Sequence, residues 1–283
     1  MYFIGVSTAQ SSIHRIFPHW AAQAGVRDPA LLGIDIPIDA TPNQYRAAVY
    51  TILQDPTTQG ALITTHKVGI YEHAADLFTE FDPDARRLGE VSCIVKRGAR
   101  LTGLAMDTVA GPLALQALNW HGPAALILGA GGAGLALAVS LPGDVILTDI
   151  SAARLEKVRH LTSARCEQVA SPEDNDRLLA ALPPGSLIVN ATGMGKDRPG
   201  APITPQARFP LDALAWDLNY RGELLFLDYA RAQGIRAADG WEYFLHGWTQ
   251  IMARVFGFYL TPELFKAMRQ LCAPPAPCYP EPR

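Results

Sequence analysis

The sequence predicts an α/β protein of two domains, a number that the chain length of 283 residues also favours. Three observations support this fold class. In the first part of the chain, short apolar strands alternate with amphipathic helices and a hairpin follows, which is typical of a mixed α/β domain. From position 109 on, continuous apolar strands alternate with helices, which is typical of a doubly wound parallel sheet. A glycine-rich turn joins the first of these later strands to its helix.

The elements of the first domain, residues 1–108, follow from apolar spacing and helix stop signals. Gly25 ends the first amphipathic helix, and residues 96–99 supply the turn of a hairpin. The apolar residues 61–63 predict a buried strand, and a helix-like stretch follows Lys67. We therefore predict helices at 13–24 and 42–54, and strands at 2–6, 31–38, 62–64, 91–95 and 100–103.

The second domain, residues 109–239, is predicted from apolar strands of the kind that a sheet buries on both faces. We expect strands at 124–128, 145–147, 186–190 and 213–217, and helices at 109–118 and 152–161, with a further apolar helix ending at 140. A long amphipathic helix at 243–259 follows Gly240. The last residues, 272–283, form a proline-rich tail that suits neither helix nor sheet.

Composition and charge argue against several functional classes. A net charge of −3 gives no electrostatic footprint for nucleic acid or for an anionic membrane. No apolar run approaches the roughly 20 residues of a membrane span, and the N-terminus lacks the regions of a signal peptide. The cysteines at 93, 166, 272 and 278 fit no zinc motif, so no metal site is expected. We expect a cytoplasmic protein that binds neither nucleic acid nor membrane.

The glycine-rich turn lies in the segment LILGAGGAG, residues 126–134. Gly129, Gly131 and Gly134 meet the pattern G-x-G-x-x-G between a buried strand and a helix, the context that gives this pattern its value. The first glycine permits the turn, the second lets the backbone approach a pyrophosphate, and the third lets the helix pack on the strand. We therefore predict a Rossmann-type domain that binds a dinucleotide through Gly129, Ala130, Gly131, Gly132, Ala133 and Gly134.

An acidic residue follows the next predicted strand. Asp149 lies where a carboxylate can accept hydrogen bonds from the adenosine ribose, and it would repel a 2′-phosphate. Ile150 offers no cation for such a phosphate, although Arg154 lies one turn further on. Asp149 or Ser151 could instead cap the following helix. NAD is therefore favoured as the cofactor, with NADP possible.

Several segments, taken in order, resemble the shikimate dehydrogenase family along nearly the full chain. They are Ser11-Ser12, Lys67 after its strand, GEVSCIVKRGARLTGLAMD ending at Asp107, the loop GAGGAG, NATGMG at 190–195, DLNY at 217–220 and DGWEYF at 239–244. The resemblance implies an N-terminal substrate domain completed by a C-terminal helix at about 240–270, and a Rossmann domain. In NADP-preferring members the second strand typically ends in Asn-Arg-Thr, where this chain has Asp149-Ile150-Ser151.

The resemblance also implies an activity and its residues. The family oxidises a ring hydroxyl of a polyhydroxylated ring acid with NADP or NAD, and its lysine and aspartate correspond to Lys67 and Asp107. From the residues alone, Lys67 is either a catalytic group or a solvated lysine at a strand end. Tyr220 could reach the substrate or lie at the edge of the core, and Ser11 and Ser12 could bind a carboxylate or cap a helix. The candidate substrate-binding residues are Ser11, Ser12, Thr65, Ser92, Tyr220 and Gln250, and Asn190, Thr192 and Met194 are expected beside the nicotinamide end of the cofactor.

The polar residues around the pair depart from the family pattern. Where the family has Asn-Val-Thr-x-Pro-x-Lys, this chain has Ala61-Leu62-Ile63-Thr64-Thr65-His66-Lys67. Ser92 replaces an amide, and the family's C-terminal glutamine falls at Gly247, with Gln250 one turn later. Because hydrogen-bonding groups in a pocket decide which hydroxyls it recognises, we expect a shikimate-like, quinate-like or other cyclitol substrate, and shikimate itself is in doubt.

Other functions stay open at the level of sequence. The substrate could be an amino-substituted ring or a folate-type molecule. The chain could be a nucleotide-binding regulatory protein with a decayed active site. Lys67 could also act as a Schiff-base nucleophile. A homodimer is possible, and a small-molecule ring compound is the expected partner.

Overall fold

The computed structural model describes residues 1–196 and 198–272, and the chain divides into two compact units. Unit 1 comprises Met1–Asp107 together with the described residues from Gly247 on, and unit 2 comprises Thr108–His246. Both units combine helices with a mainly parallel sheet, which confirms the predicted α/β class. The predicted proline-rich tail lies outside the described residues after Cys272.

Unit 1 is built on a six-stranded mixed sheet. Its strands are β1 (Tyr2–Gly5), β2 (Leu32–Asp35), β3 (Gly60–Ile63), β4 (Glu80–Phe81), β5 (Cys93–Arg97) and β6 (Arg100–Leu104). Their order in the sheet is β2-β1-β3-β5-β6-β4. Strand β1 pairs in parallel with β2 and β3, whereas β5 runs antiparallel to β3 and to β6. The helices that accompany it are α1 (Ile13–Gln23), α2 (Pro42–Gln54), α3 (Lys67–Ala74) and α4 (Pro83–Leu88).

The expected helix at 42–54 is confirmed to the residue, because its sequence carries strong start signals. Thr41 and Gln44 form a capping box and Pro42 occupies the first helical position. The strand expected at 31–38 is shorter and stops at Asp35, two residues before Pro37. The short elements β4 and α4 were not predicted, since so few residues carry no periodic signal.

A buried lysine donates hydrogen bonds to the carbonyl groups at the C-terminal end of α2. Lys96 on β5 is 6% exposed, and its Nζ donates to the carbonyl oxygens of Ile52 at 2.9 Å, Leu53 at 2.9 Å and Asp55 at 2.5 Å. The last carbonyls of a helix have no partner inside the helix, and its C-terminus favours a positive charge. Lys96 therefore fixes α2 against the central strands of unit 1.

Unit 2 is a doubly wound domain with an all-parallel six-stranded sheet. Its order is β12-β11-β10-β7-β8-β9, with β7 (Ala124–Leu128), β8 (Asp144–Asp149), β9 (Arg165–Gln168), β10 (Leu187–Asn190), β11 (Leu214–Asp217) and β12 (Arg236–Ala238). The order reverses between β7 and β10, and in such sheets ligands bind at the carboxyl ends of the strands that flank this reversal.

The helices of the second part of the chain begin with α5 (Asp107–Ala117), whose first residue is the last of unit 1. Unit 2 then has α6 (Gly132–Ser140), α7 (Ala152–Arg159), α8 (Pro172–Ala180) and α9 (Leu225–Arg231). Helix α10 (Trp241–Phe256) begins in unit 2 and ends in unit 1, and α11 (Pro262–Gln270) belongs to unit 1. Along residues 1–196 and 198–272, no helix is long and apolar enough to cross a membrane.

We predict that Lys96→Met lowers the free energy of unfolding by about 2 kcal/mol, because buried carbonyls lose a charged donor. Urea denaturation of the two proteins measures the difference. Lys266→Met is the matched control, since Lys266 is an exposed lysine of the same unit. An unfolding midpoint for Lys96→Met equal to that of the control would contradict this role.

Candidate active site

Lys67 and Asp107 form a buried ion pair in unit 1. Lys67 is the first residue of α3, separated from the end of β3 by three residues, and Asp107 is the first residue of α5, after β6. The Lys67 Nζ donates to the Asp107 Oδ2, and the two side chains are only 13% and 8% exposed. The structure therefore excludes a solvated lysine, which was the alternative that the sequence left open.

The charge state of Lys67 follows from its surroundings. Burial by itself lowers the pKa of a lysine, but the carboxylates of Asp107 and Glu90 act against it, and the pKa of Lys67 is raised above its ordinary value. Lys67 is thus an ammonium at neutral pH and can donate a proton to a carbonyl oxygen. A Schiff-base nucleophile needs a neutral amine, so this charge state disfavours that function.

Sequence analysis did not single out Glu90, which is fully buried. The only signal in the sequence was an acidic residue directly before the strand predicted at 91–95. The N–H of Val91, its neighbour, donates to the Lys67 carbonyl oxygen at 3.0 Å. Glu90 therefore lies next to the segment that carries the ion pair.

Two of the predicted substrate-binding residues, Thr65 and Ser92, have different surroundings. The Ser92 Oγ accepts from the N–H of Met106 at 2.7 Å, and Ser92 is buried. This hydroxyl therefore ties the residue before β5 to the residue before Asp107. Thr65 is exposed and lies two residues before Lys67.

The neighbouring His66 points away from the ion pair. Its Nε2–H donates to the carbonyl oxygen of Ile36 at 2.8 Å, and its ring lies 5.6 Å from that of Tyr45. Burial lowers the pKa of His66, which keeps the ring neutral. His66 thus belongs to the packing behind the site.

The remaining predicted substrate-binding residues lie in both units. Ser11, Ser12 and Gln250 are partly exposed and belong to unit 1. The Ser11 Oγ accepts weakly from the N–H of Ile13 at 3.4 Å, so it helps the chain enter α1. Tyr220 belongs to unit 2, where its ring lies 5.5 Å from Trp241 and 4.8 Å from Phe244.

The glycine loop of unit 2 has the geometry of a phosphate-binding turn. Gly129 has a φ of +105°, which side chains rarely adopt. A Cβ on Gly134 would lie 1.9 Å from the Gly129 carbonyl oxygen, whereas a Cβ on Gly131 would meet no protein atom within 4 Å. Gly131 is the N-cap of α6, whose free N–H groups favour an anion. The loop therefore fits a dinucleotide pyrophosphate.

Asp149, at the end of β8, is tied to this loop. Its buried carboxylate accepts from the N–H of Ala130 at 2.8 Å and from the N–H of Ser151 at 2.8 Å. The Ser151 Oγ accepts from the N–H of Arg154 at 3.4 Å. Ser151, and not Asp149, is therefore the N-cap of α7. The Arg154 Nη1 lies 3.5 Å from Asp149, and most of the Arg154 side chain is exposed.

A cavity of about 580 Å³ opens beside the carboxyl ends of β8 and β9. Its lining includes Ile150, Gln168, Val169 and Arg177. Ile150 is 67% exposed, which is unusual for a large apolar side chain. The cavity begins at the residue after Asp149, and its lining combines apolar side chains with the charged Glu167, Asp174 and Arg177.

Hydrogen bonds shape the chain after β10, where Asn190, Thr192 and Met194 were predicted to meet the cofactor. The Asn190 Nδ2 donates to the Asp217 Oδ2 at 2.7 Å and to the Met194 carbonyl oxygen at 3.2 Å. The Thr192 Oγ1 donates to the Asn190 Oδ1 at 2.7 Å. Burial raises the pKa of Asp217 to about 6 against the hydrogen bonds from Asn219 and Asn190. Asn190 is fully buried, so its hydrogen bonds hold this loop from the interior of unit 2.

The whole chain is similar to known dehydrogenases, although no protein-family model matches it. The shikimate dehydrogenase (NADP(+)) of Rhodopseudomonas palustris is 32% identical over 273 residues, which is 92% of each chain. The chain belongs to the shikimate dehydrogenase family.

Solved structures of this family have the same fold. The Thermus thermophilus shikimate 5-dehydrogenase in complex with NADP(H) and shikimate superimposes with a TM-score of 0.72 at 24% identity, covering 96% of this chain and 98% of that one. The Listeria monocytogenes enzyme in complex with shikimate and NAD gives a TM-score of 0.72 at 18% identity, covering 96% and 95%. Family membership confirms the resemblance that the sequence motifs indicated.

We predict opposite outcomes for two substitutions in the glycine loop. Gly131→Ala should keep the melting temperature of the protein but weaken dinucleotide binding about tenfold or more, because the new methyl group occupies open space that faces the ligand. Gly134→Ala should lower the melting temperature, because its methyl group meets backbone. Calorimetry measures both quantities. Unchanged dinucleotide affinity in Gly131→Ala would refute the assigned site.

Proposed function

We propose that the protein is a nicotinamide-dependent dehydrogenase that interconverts a ring hydroxyl and a ketone of a shikimate-like, quinate-like or other cyclitol substrate. The observation that carries the proposal is the buried Lys67–Asp107 ion pair, which occurs in one chain with a dinucleotide-binding glycine loop. Membership of the shikimate dehydrogenase family supports the reaction type.

The ion pair supplies the proton transfer that this reaction needs. When bound, the nicotinamide ring exchanges a hydride with the substrate carbon. In the reducing direction the Lys67 ammonium donates a proton to the carbonyl oxygen, and in the oxidising direction the neutral amine takes the hydroxyl proton. Asp107 accepts a hydrogen bond from Lys67 and so fixes the position of its Nζ.

The sign of the pH dependence follows from the charge of Lys67. Because the pKa of Lys67 is raised, the amine is charged at neutral pH, and ketone reduction has its proton donor there. Alcohol oxidation needs the neutral amine, so its rate should increase as the pH rises toward the pKa of Lys67.

For the cofactor, we infer a preference for NAD over NADP. Asp149 places a carboxylate at the end of β8, and the exposed Ile150 follows it where an NADP-preferring member would have arginine. A carboxylate at this position repels a 2′-phosphate. The competing argument for NADP is the exposed Arg154, together with the name of the Rhodopseudomonas relative, which specifies NADP(+).

We predict that loss of either partner of the ion pair removes most of the activity. Lys67→Ala and Asp107→Asn should each lower turnover about 10²- to 10⁴-fold, the usual contribution of a positioned proton donor or base. Dinucleotide affinity should stay unchanged, because the glycine loop belongs to the other unit. Steady-state kinetics and calorimetry measure the two quantities, with Lys266→Ala as the control. Wild-type turnover in either variant would refute the assignment.

We predict which substrate and which cofactor give the highest turnover. Absorbance of the reduced nicotinamide is followed with quinate, shikimate, aminoshikimate and inositol-type polyols, each with NAD and with NADP. We expect turnover with NAD to exceed that with NADP, and a substrate other than shikimate to be the best. Dinucleotide binding without turnover of any compound would instead indicate a regulatory protein with a decayed site.

A pair of variants separates the two cofactor arguments. Asp149→Asn combined with Ile150→Arg should raise kcat/KM for NADP about tenfold or more, because a repulsive carboxylate is replaced and a cation is added. Arg154→Ala should leave kcat/KM for both cofactors close to the wild-type values. A selective loss of NADP turnover in Arg154→Ala would show that Arg154 binds the 2′-phosphate and would overturn the NAD preference.

A further inference from the structure

We propose that Asp217 is a positioning residue of unit 2: its buried carboxylate, acting through Asn190, holds the loop that receives the nicotinamide half of the dinucleotide. The nature of the cofactor rests on the proposed function, whereas the role of Asp217 is an addition to it.

Asp217 lies at the edge of the sheet where the second half of a dinucleotide is expected. It is the last residue of β11 and pairs in register with Asn190, the last residue of β10. A doubly wound domain binds one nucleotide with each of its two halves, across the point where the strand order reverses. The glycine loop follows β7 in the first half, so the loops after β10 and β11 face the nicotinamide half.

The loop after β10 lies directly against the glycine loop. A Cβ built on Gly129 would lie 3.0 Å from the carbonyl carbon of Ala191 and 3.1 Å from the Cα of Thr192. The N–H of Ala191 donates to the carbonyl oxygen of Leu128, the last residue of β7, at 2.8 Å. The two loops therefore border the same crevice.

One side chain gives the loop after β10 its shape. The Asn190 Oδ1 accepts from the N–H of Thr192 at 3.1 Å and from the Thr192 Oγ1 at 2.7 Å. The Asn190 Nδ2 donates to the Met194 carbonyl oxygen at 3.2 Å. If this amide turned over, it would offer a donor to the N–H of Thr192, which is itself a donor. The loop therefore needs the Asn190 amide in one orientation.

The Asp217 carboxylate decides that orientation. Its Oδ2 accepts from the Asn190 Nδ2 at 2.7 Å, and its Oδ1 accepts from the N–H and the Nδ2 of Asn219, both at 2.8 Å. An ionised carboxylate accepts hydrogen bonds and donates none, so it can face only the Nδ2 of each amide. Its two oxygens thus fix two segments, the loop after β10 and the chain that leads to Tyr220.

A requirement of the fold alone would not favour a carboxylate at this position. Asp217 is 0% exposed, and the hydrogen bonds that it accepts within the described part of unit 2 come from neutral amides. A buried charge without a cation costs free energy that a neutral side chain would not. Burial, with the charge of Asp239 acting in the same direction, raises the pKa of Asp217 to about 6, so the group is ionised at neutral pH.

The test compares the binding of NADH and of ADP-ribose by calorimetry. The two compounds share adenosine and pyrophosphate, neither carries a 2′-phosphate, and only NADH has the nicotinamide. In Asp217→Asn the new amino group meets the Asn190 Nδ2, so Asn190 turns over and the N–H of Thr192 loses its acceptor. We expect the affinity for NADH to fall about tenfold or more, the usual effect of one unmade buried hydrogen bond, and the affinity for ADP-ribose to stay within about twofold of wild type.

Two further variants separate this role from a packing effect. Asp212→Asn, at an exposed site of unit 2, is the matched control and should leave both affinities unchanged. Asp217→Asn combined with Asn190→Asp restores the hydrogen bond with donor and acceptor exchanged, so it should bind NADH more tightly than Asp217→Asn does. A double variant that binds NADH no better would overturn the proposal, as would an unchanged ratio of the two affinities in folded Asp217→Asn.

Asn190→Ala keeps the test decisive if Asp217→Asn fails to fold. This change removes the amide between Asp217 and the loop but leaves both hydrogen bonds from Asn219, so the affinity for NADH alone should fall. An unchanged ratio of the NADH and ADP-ribose affinities in Asn190→Ala would overturn the proposal. These experiments measure binding and need no substrate. A protein that shows the expected affinities but turns over no polyol therefore refutes the proposed function and leaves the role of Asp217 intact.

Discussion

The burial of the Lys67 ammonium is the constraint on which the architecture around the candidate site depends. A charge removed from water must be compensated by other charges and hydrogen bonds, and here three separate elements contribute. The start of α3 supplies the lysine, the start of α5 supplies Asp107, and the chain before β5 supplies Glu90, whose charge helps to raise the pKa of Lys67. Ser92 then joins the chain before β5 to Met106. The sheet of unit 1 thereby brings residues distant in sequence to one charged cluster.

The candidate site of unit 2 is built differently, from backbone N–H groups at the start of α6 that can meet an anion. Its polar side chains are used mainly to hold the backbone in shape. Asp149 binds the N–H of Ala130 within the glycine loop, and Asn190 fixes the neighbouring loop through Asp217 and Met194. The candidate site of unit 1 thus consists of charged side chains, and that of unit 2 consists of main-chain groups.

The parts of the fold that sequence predicted well are those with strong local signals. Strand 124–128 was correct because a strand buried on both faces is apolar at every position, and helix 42–54 was correct because its capping box lies in the sequence itself. Strand β9 and helix α8 were missed because their residues are mostly polar and carry no clear period. Glu90, whose charge helps to raise the pKa of Lys67, was missed because the two residues lie 23 positions apart and only the fold brings their segments together.

The glycines of the loop after β7 carry two kinds of information. Gly129 and Gly134 are required by the polypeptide itself, since side chains there meet strain or backbone. Gly131 has open space around it, so packing within the protein does not require glycine at this position. Selection for stability alone would preserve the first two and let the third drift. Among proteins descended from this one, a larger residue at position 131 would therefore indicate that the ligand is no longer bound, even where the fold is intact.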